Sequence, residues 1–305
     1  MSDVVIPNVT DYKTAMELLA QQKRSRLEPY VKSETFVGET GEIMEQVGIV
    51  TPSLKTVRHA NTPITDTPRE RRWVDPDDYI IADLLDTEDK LRALINLESG
   101  MAMAQSAGME RIKDDVIIQG AFGTNRTGKS GATNVTFNAA QEIDNGALGL
   151  TIDQIREARF LFENADVDLD AYEGMGGRYG ACLVLTPKQK QQLLSTTETT
   201  NQDYGTIGAL VNGTIDTFYG FKILTSTRLP GAPGYNGALT IPGGEDWALC
   251  YAADGLGYGI WNPLTVEFDR RADKQNALQV MAKMTIGATR LQEPKVLKLI
   301  SDNTK

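Results

Sequence analysis

The sequence predicts a mixed α+β chain with two extended excursions that own no core. Three observations predict it. One long stretch of helical spacing lies between about Ser99 and Phe122, short apolar clusters of strand type fill the second half, and two segments, residues 1–33 and 34–85, are too polar and thin to bury themselves. With 41% hydrophobic and 24% charged residues over 305, the composition is globular and excludes a fibrous or low-complexity chain.

In chain order, residues 1–33 read as an arm. Asp11 is placed to cap a short helix through Tyr12, Ala15, Met16, Leu18 and Leu19, and Gln21–Arg26 is polar and basic. Residues 34–85 carry strand-like clusters (Ile43, Val47, Ile49, Val50; Trp73, Val74, Tyr79, Ile80, Ile81) around a polar middle with prolines, the pattern of a long two-stranded excursion. A short helical piece is expected after Asp86, through Leu91, Leu94 and Ile95. The helix from about Ser99 to Phe122 follows; at 1.5 Å per residue it spans about 35 Å. Ala102, Ala104, Ala107 and Gly108 make one side small enough to pack closely on a sheet. Residues 123–150 read as loop or hairpin. Thr151-Ile152-Asp153-Gln154 is a capping-box pattern opening another helix. Ala181–Leu185 reads as a buried strand, and Thr186-Pro187 as a cap with proline at the first helical position. A short helix is expected over Tyr204–Val211. The remainder reads as strand: Phe218–Thr225, Trp247–Tyr251, Gly257–Trp261, Val266–Arg270, Gln279–Leu291 and Lys295–Ile300.

Composition removes several function classes. Thirty-one basic against 41 acidic side chains give a net charge of −10, which opposes a dedicated nucleic-acid module or an anionic-membrane binder. One histidine, His59, and two cysteines, Cys182 and Cys250, cannot build a multi-ligand zinc site or a disulfide framework. Both cysteines sit in apolar runs and read as buried free thiols. Met1–Lys13 is polar and no apolar run of about 18 residues occurs, so the expectation is a protein made and kept in the cytosol, or in something assembled there, with no membrane partner.

One motif is conspicuous. Gly123-Thr124-Asn125-Arg126-Thr127-Gly128-Lys129-Ser130 matches the phosphate-binding pattern G-x-x-x-x-G-K-[ST]. That chemistry needs a strand before the loop and a helix N-terminus after it. Here a helical pattern precedes and a strand-like, helix-poor segment follows, so a Gly/Thr loop of matching composition is the expected reading. Asp166-Val167-Asp168-Leu169-Asp170 has the alternating acids of a calcium loop, but Ala171 and Gly177 stand where glycine and glutamate are required. Gly255–Gly259 lacks dinucleotide spacing and reads as a turn. No catalytic residue, cofactor or metal site is expected.

Charge is uneven along the second excursion. Lys55, Arg58, Arg69, Arg71 and Arg72 face only two acids between them, whereas Asp75, Asp77, Asp78, Asp83, Asp86, Glu88 and Asp89 follow with no basic residue until Lys90. A solvated surface is the simple reading. The sharper one is a basic flap that lies on an acidic patch of another copy, complementary charge fixing register and partner choice.

Several strings together carry a resemblance: Ala20-Gln21-Gln22-Lys23-Arg24-Ser25-Arg26-Leu27; Arg58-His59, Thr62-Pro63 and Asp66-Thr67-Pro68; Arg71-Arg72; Ala82-Asp83-Leu84 and Asp89-Lys90; Asp114-Asp115-Val116-Ile117-Ile118; Gly220-Phe221-Lys222 and Arg228-Leu229-Pro230. In this order the sequence resembles the major capsid (coat) proteins of tailed bacteriophages across nearly the whole chain. The resemblance implies the Hong Kong ninety-seven type fold. It places an N-terminal arm on residues 1–33 and an extended loop reaching over a neighbour on 34–85. A peripheral domain falls on 86–180 with its spine helix at 99–122, an axial domain on 181–264, and returning peripheral strands on 265–305. It further implies pentamers and hexamers of one chain forming an icosahedral shell around double-stranded DNA, with DNA held only non-specifically. The arm is too short for a built-in scaffolding segment, so assembly with a separate scaffold protein or with none is expected, the separate protein being the favoured form, besides a portal and a decoration protein. The expected location is the virion, assembled in the host cytoplasm. Two alternatives stay open at this point: a nucleotide hydrolase using Lys129 and Ser130, and an encapsulin-like compartment shell.

Overall fold

The computed structural model describes residues 21–56, 58, 62, 64, 66–86, 97–144, 146, 148–167, 169, 180–200 and 217–304, with side chains left undescribed at 44, 45, 97, 98, 194–200 and 217. Fourteen strands and three α-helices are found among them, arranged as three sheets.

The first sheet has the order β1 (Lys32–Thr35), β12 (Leu256–Arg271), β13 (Ala277–Arg290), β4 (Asp77–Leu85). Its centre is a long antiparallel hairpin, closed by Gln275 and Asn276 in left-handed conformations (φ 53° and 60°) and broken in register between Ile260 and Thr265, where Pro263 cannot donate to a ladder. β4 runs its whole length against β13, from Asp77 opposite Ile286 to Leu85 opposite Leu278. Residues 77–85 are therefore an edge strand of the body, and the free excursion is shorter than the 34–85 expected: two sheet partners hold its ends, β1 and β4.

Helix α1 (Leu97–Phe122) lies across β13, β12 and β4. Its last two turns, Val116–Phe122, are apolar apart from Gln119, and Val116, Ile117, Ile118, Ala121 and Phe122 are all buried. The helix comes close to the sheet at Gly120. A Cβ there would stand 2.7 Å from the carbonyl of Ala288. Of the small residues expected to make this contact, Ala107 is buried, Ala104 is exposed, and Gly108 faces Ile81.

The second sheet has six strands in the order β7 (Glu142–Asp144), β14 (Val296–Asp302), β11 (Glu245–Ala252), β8 (Ala181–Leu185), β10 (Phe221–Thr225), β9 (Thr217–Phe218). All five residues of β8 are buried, as a central strand covered on both faces requires. Helix α2 (Ile152–Asn164) covers one face through Ile155, Ala158 and Phe162, and opens with the expected reciprocal capping box between Thr151 and Gln154. Helix α3 (Pro187–Thr200) opens with a second one: Thr186 Oγ1 accepts from Gln189 N at 3.2 Å, and Gln189 Oε1 accepts from Thr186 N at 2.9 Å. Division by sheet is not division by position. The last strand, β14, belongs with β8 and β11, and the expected boundary at 264/265 falls inside β12, because strand pairing joins residues remote in sequence.

The third sheet is small: β2 (Gly41–Val47), β3 (Arg69–Val74), β5 (Asn125–Thr127), β6 (Thr133–Val135). It forms the stem of the excursion. The expected helices near residues 11–19, 87–96 and 204–211 lie outside the described residues. Among the described residues no helix is long and apolar enough to cross a membrane.

Candidate functional site

The excursion is a hairpin. Its stem pairs β2 with β3 from Gly41 opposite Val74 to Val47 opposite Arg69, and the Gly48 amide donates to the Pro68 carbonyl at 2.8 Å to close it. Beyond that point Ile49 is 95% exposed, Leu54 87% and Ile64 97%. Large apolar side chains in that state, on a segment with no core beneath it, mark a surface meant to be covered.

The base of the stem is braced. β5 pairs with β3 through Arg72 opposite Thr127 and Trp73 opposite Arg126. Trp73 Nε1 donates to the Gly128 carbonyl at 2.7 Å, and the Gly128 amide donates to the Arg71 carbonyl at 3.1 Å. The bracing turn is the segment that matches the phosphate-loop pattern. A helix precedes it, β5 and β6 flank its turn, and no helix begins after it, so no helix N-terminus faces a phosphate there. Gly128 and Gly131 serve the turn instead, at φ 92° and 67°. A Cβ on Gly131 would press on the Trp73 ring at 3.2 Å. Further on, Gly257 and Gly259 lie within β12 and not in a turn; their missing side chains admit Ile43 and Val74 of the stem onto the sheet.

The charged residues of the excursion separate. Lys55, Arg58 and Arg69 are exposed. Arg71 pairs with Glu42 on the adjacent strand at 3.3 Å. Arg72, expected on the outer surface, is 5% exposed and donates to Glu293 Oε1 at 3.2 Å inside the chain. Glu293 also takes Arg290 Nε at 2.5 Å, and Arg290 is completely buried, donating to the carbonyls of Ala121 (2.6 Å) and Thr136 (3.2 Å). Burial lowers the Arg290 pKa from its usual value and Glu293 opposes that shift. Strand alternation divides the acids, since neighbours on a strand face opposite ways. Asp77 and Asp83 share the helix-side register of β4 with Tyr79 and Ile81. Asp78 sits on the other face with exposed Ile80 and Leu84, accepting from Thr285 Oγ1 at 2.6 Å. Asp75 pairs with Arg126 at 2.5 Å. Burial, then the charges of Asp77 and Asp115, push the Tyr79 phenol up to about 12. Glu88, Asp89 and His59 lie outside the described residues, as do Asp168 and Asp170 of the acidic loop.

The arm string and the Asp114-Asp115 string meet. Asp114 is completely buried on α1, and four donors reach its carboxylate: Ser25 Oγ (2.6 Å), the amides of Arg26 (3.1 Å) and Leu27 (3.1 Å), and Gln22 Nε2 (2.5 Å). Lys113 adds contacts to Glu28 (3.0 Å) and Glu110 (2.8 Å). The neighbouring Asp115 holds Arg228 through its Nε at 2.7 Å. Desolvation raises the Asp115 pKa and Arg228 opposes it. Sequence reading missed these clasps. A pair of adjacent acids at the most apolar end of a helix is the signal that could have found them, because a carboxylate in such a place needs donors.

Both cysteines are buried, and burial pushes the Cys182 thiol up to about 12. Among the described residues no group of three or more His, Cys, Asp or Glu side chains could hold a metal ion.

Comparison with known proteins agrees with this geometry. No curated protein matches the chain significantly. Solved structures match over nearly its full length. The capsid of cyanophage P-SCSP1u is 16% identical, with a TM-score of 0.67 and coverage of 97% of this chain and 94% of that one. The mature capsid of bacteriophage PhiM1 is 13% identical with TM-score 0.70 (98% and 93%), and the capsid of Ralstonia phage GP4 is 11% identical with TM-score 0.70 (99% and 98%). At such identities the likeness establishes the Hong Kong ninety-seven type fold. The family itself comes from the sequence, where the description "Phage capsid protein" applies to residues 7–302. A braced hairpin with an uncovered tip, a clasped arm and a match spanning almost every residue lead to one conclusion: this chain belongs to the phage capsid protein family, as a major capsid structural protein.

Proposed function

We propose that copies of this chain ring into pentamers and hexamers of an icosahedral shell, and that the hairpin over residues 41–74 is the extended loop each copy lays on a neighbour. The tip carries the reading: exposed Ile49, Leu54 and Ile64 need a cover that the described residues do not supply. The spine is α1 with the β12–β13 hairpin. The axial part is the six-stranded sheet around β8, with β14 in it. Contacts between copies fall on Lys55, Arg58, Arg69 and Arg71 on the basic side and on Asp75, Asp77, Asp78, Asp83, Glu88 and Asp89 on the acidic side. Arg72 serves the fold. A closing heterologous contact of this kind generates rings.

The chain does no catalysis in this reading. A separate scaffold protein, a portal and a decoration protein complete the particle, which assembles in the host cytoplasm and holds DNA only non-specifically. The net charge of −10 suits a container that leaves packed DNA mobile. Electron microscopy of the purified full chain tests the proposal. Closed shells, or capsomer rings, are the expected result; a monomer at every concentration, with and without co-expressed phage proteins, overturns it.

A further inference from the structure

A cleft of about 560 Å³ opens where the hairpin stem meets the body. Trp73, Asp75 and Asp77 form one wall, Asp115 and Gln119 of α1 the second, and Thr289 of β13 lies between them. Two atoms on this lining, Gln119 Oε1 and Thr289 Oγ1, are buried without a hydrogen-bond partner among the described residues, and Thr289 is only 2% exposed. Native proteins leave few such atoms unpaired, and each one invites the question of what it binds. Asp75 is paired with Arg126 and Asp115 with Arg228, whereas the Asp77 carboxylate has no ion pair or hydrogen bond among the described residues. The open capacity is thus a carboxylate, an amide oxygen and a hydroxyl. Three acceptors and no free cation suit a donor-rich positive group, an ammonium or a guanidinium.

Building on the shell reading above, we infer that this cleft seats Lys55 or Arg58 from the hairpin tip of a second copy. Charge complementarity argues for it: both side chains are exposed, and neither forms an ion pair among the described residues. Reach argues for it as well. The tip begins after a seven-residue stem, about 24 Å from the base at 3.4 Å per residue, so each tip stands well away from its own cleft and can enter another. The negative field of Asp77 and Asp115, already visible at Tyr79, would strengthen the contact in a partly desolvated site.

Cysteine pairing tests this, because the two native thiols are buried and contribute no background. The full chain carrying Asp77→Cys with Arg58→Cys or Lys55→Cys is assembled and mildly oxidised. Multimers linked between subunits are expected on a non-reducing gel. Asp83→Cys is the comparison, six residues along the same strand. Links through position 83 and none through 77 overturn the cleft while leaving the basic-loop reading intact; links through neither, in particles that form, overturn both. Should the cysteine chains fail to assemble, Asp77→Arg is expected to block particles and Arg58→Asp or Lys55→Asp in the same chain to restore them, and absence of rescue by both overturns the proposal. Spermidine provides the remaining arm. If it raises the melting temperature of the unassembled subunit, and Asp77→Asn abolishes that rise in a chain whose tip forms no links, the cleft belongs to a soluble polyamine.

Discussion

The six-stranded sheet and the hairpin are both built from short apolar strands, yet they end in opposite states. In the sheet, β8 buries all five residues between α2 and the rest of the core, and its polar caps close on themselves. In the hairpin, the stem is paired and braced while the tip leaves Ile49 and Ile64 almost bare. The difference teaches where the molecule is complete. The sheet is stabilised within one copy. The tip's apolar surface has no such cover among the described residues, and in the proposed shell a second copy takes it out of water.

The sharpest break of this comparison removes the tip. The sequence alone suggests deleting residues 50–75, but that cut would take β3, Trp73 and the buried Arg72 with it. Deleting 49–67 and joining Gly48 to Pro68 spares the stem, since those residues already share a hydrogen bond. Particles should vanish from electron micrographs while the urea midpoint of the subunit stays nearly unchanged. Normal particles would refute the role assigned to the tip.

Next in size is the clasp on the complete side. Asp114→Ala strands several buried donors and should cost about 3–5 kcal/mol of subunit stability by equilibrium unfolding, the range for breaking a buried charged contact. A loss under 1 kcal/mol would mean the arm is held by something else. Gly120→Ala comes third. Its new methyl meets the Ala288 carbonyl, and a forced shift of helix against sheet should cost about 1–3 kcal/mol, read from the same unfolding curves.

Smaller effects fall on the incomplete side. Arg69→Glu with Arg71→Glu should slow assembly several-fold, measured by light scattering, most at low salt. Exposed charges are screened beyond about 8–10 Å at physiological ionic strength. Equal slowing at every salt concentration would count against charge pairing. The smallest effect is a thiol that does nothing. Cys182, pushed up to about 12, holds its proton at pH 8 and should resist alkylation, as judged by mass spectrometry, until the chain unfolds.

Local signals were legible because their causes are local. The long helix, the capping box at Thr151–Gln154, the Thr186 cap, the buried Ala181–Leu185 strand and the two-stranded excursion follow from residue spacing and neighbouring caps, and they stand close to where they were expected. The candidate contact residues were legible only as charges. That Arg72 turns inward, that Asp77 and Asp78 part to opposite faces, and that the phosphate-loop pattern is a β-turn under Trp73 all depend on partners far along the chain.

By itself the sequence determined the element types, the capsid family and the existence of a segment too thin to fold alone, since periodicity, composition and ordered motifs are properties of the chain read in one dimension. Tertiary structure alone decided which charges are free, which are spent on the fold, and that β4 and β14 join sheets built from remote strands. The physical reason is that a side chain's burial and pairing are set by whatever lies across from it, and for Asp114, Arg290 and Gly120 neighbours between 87 and 169 positions distant do this.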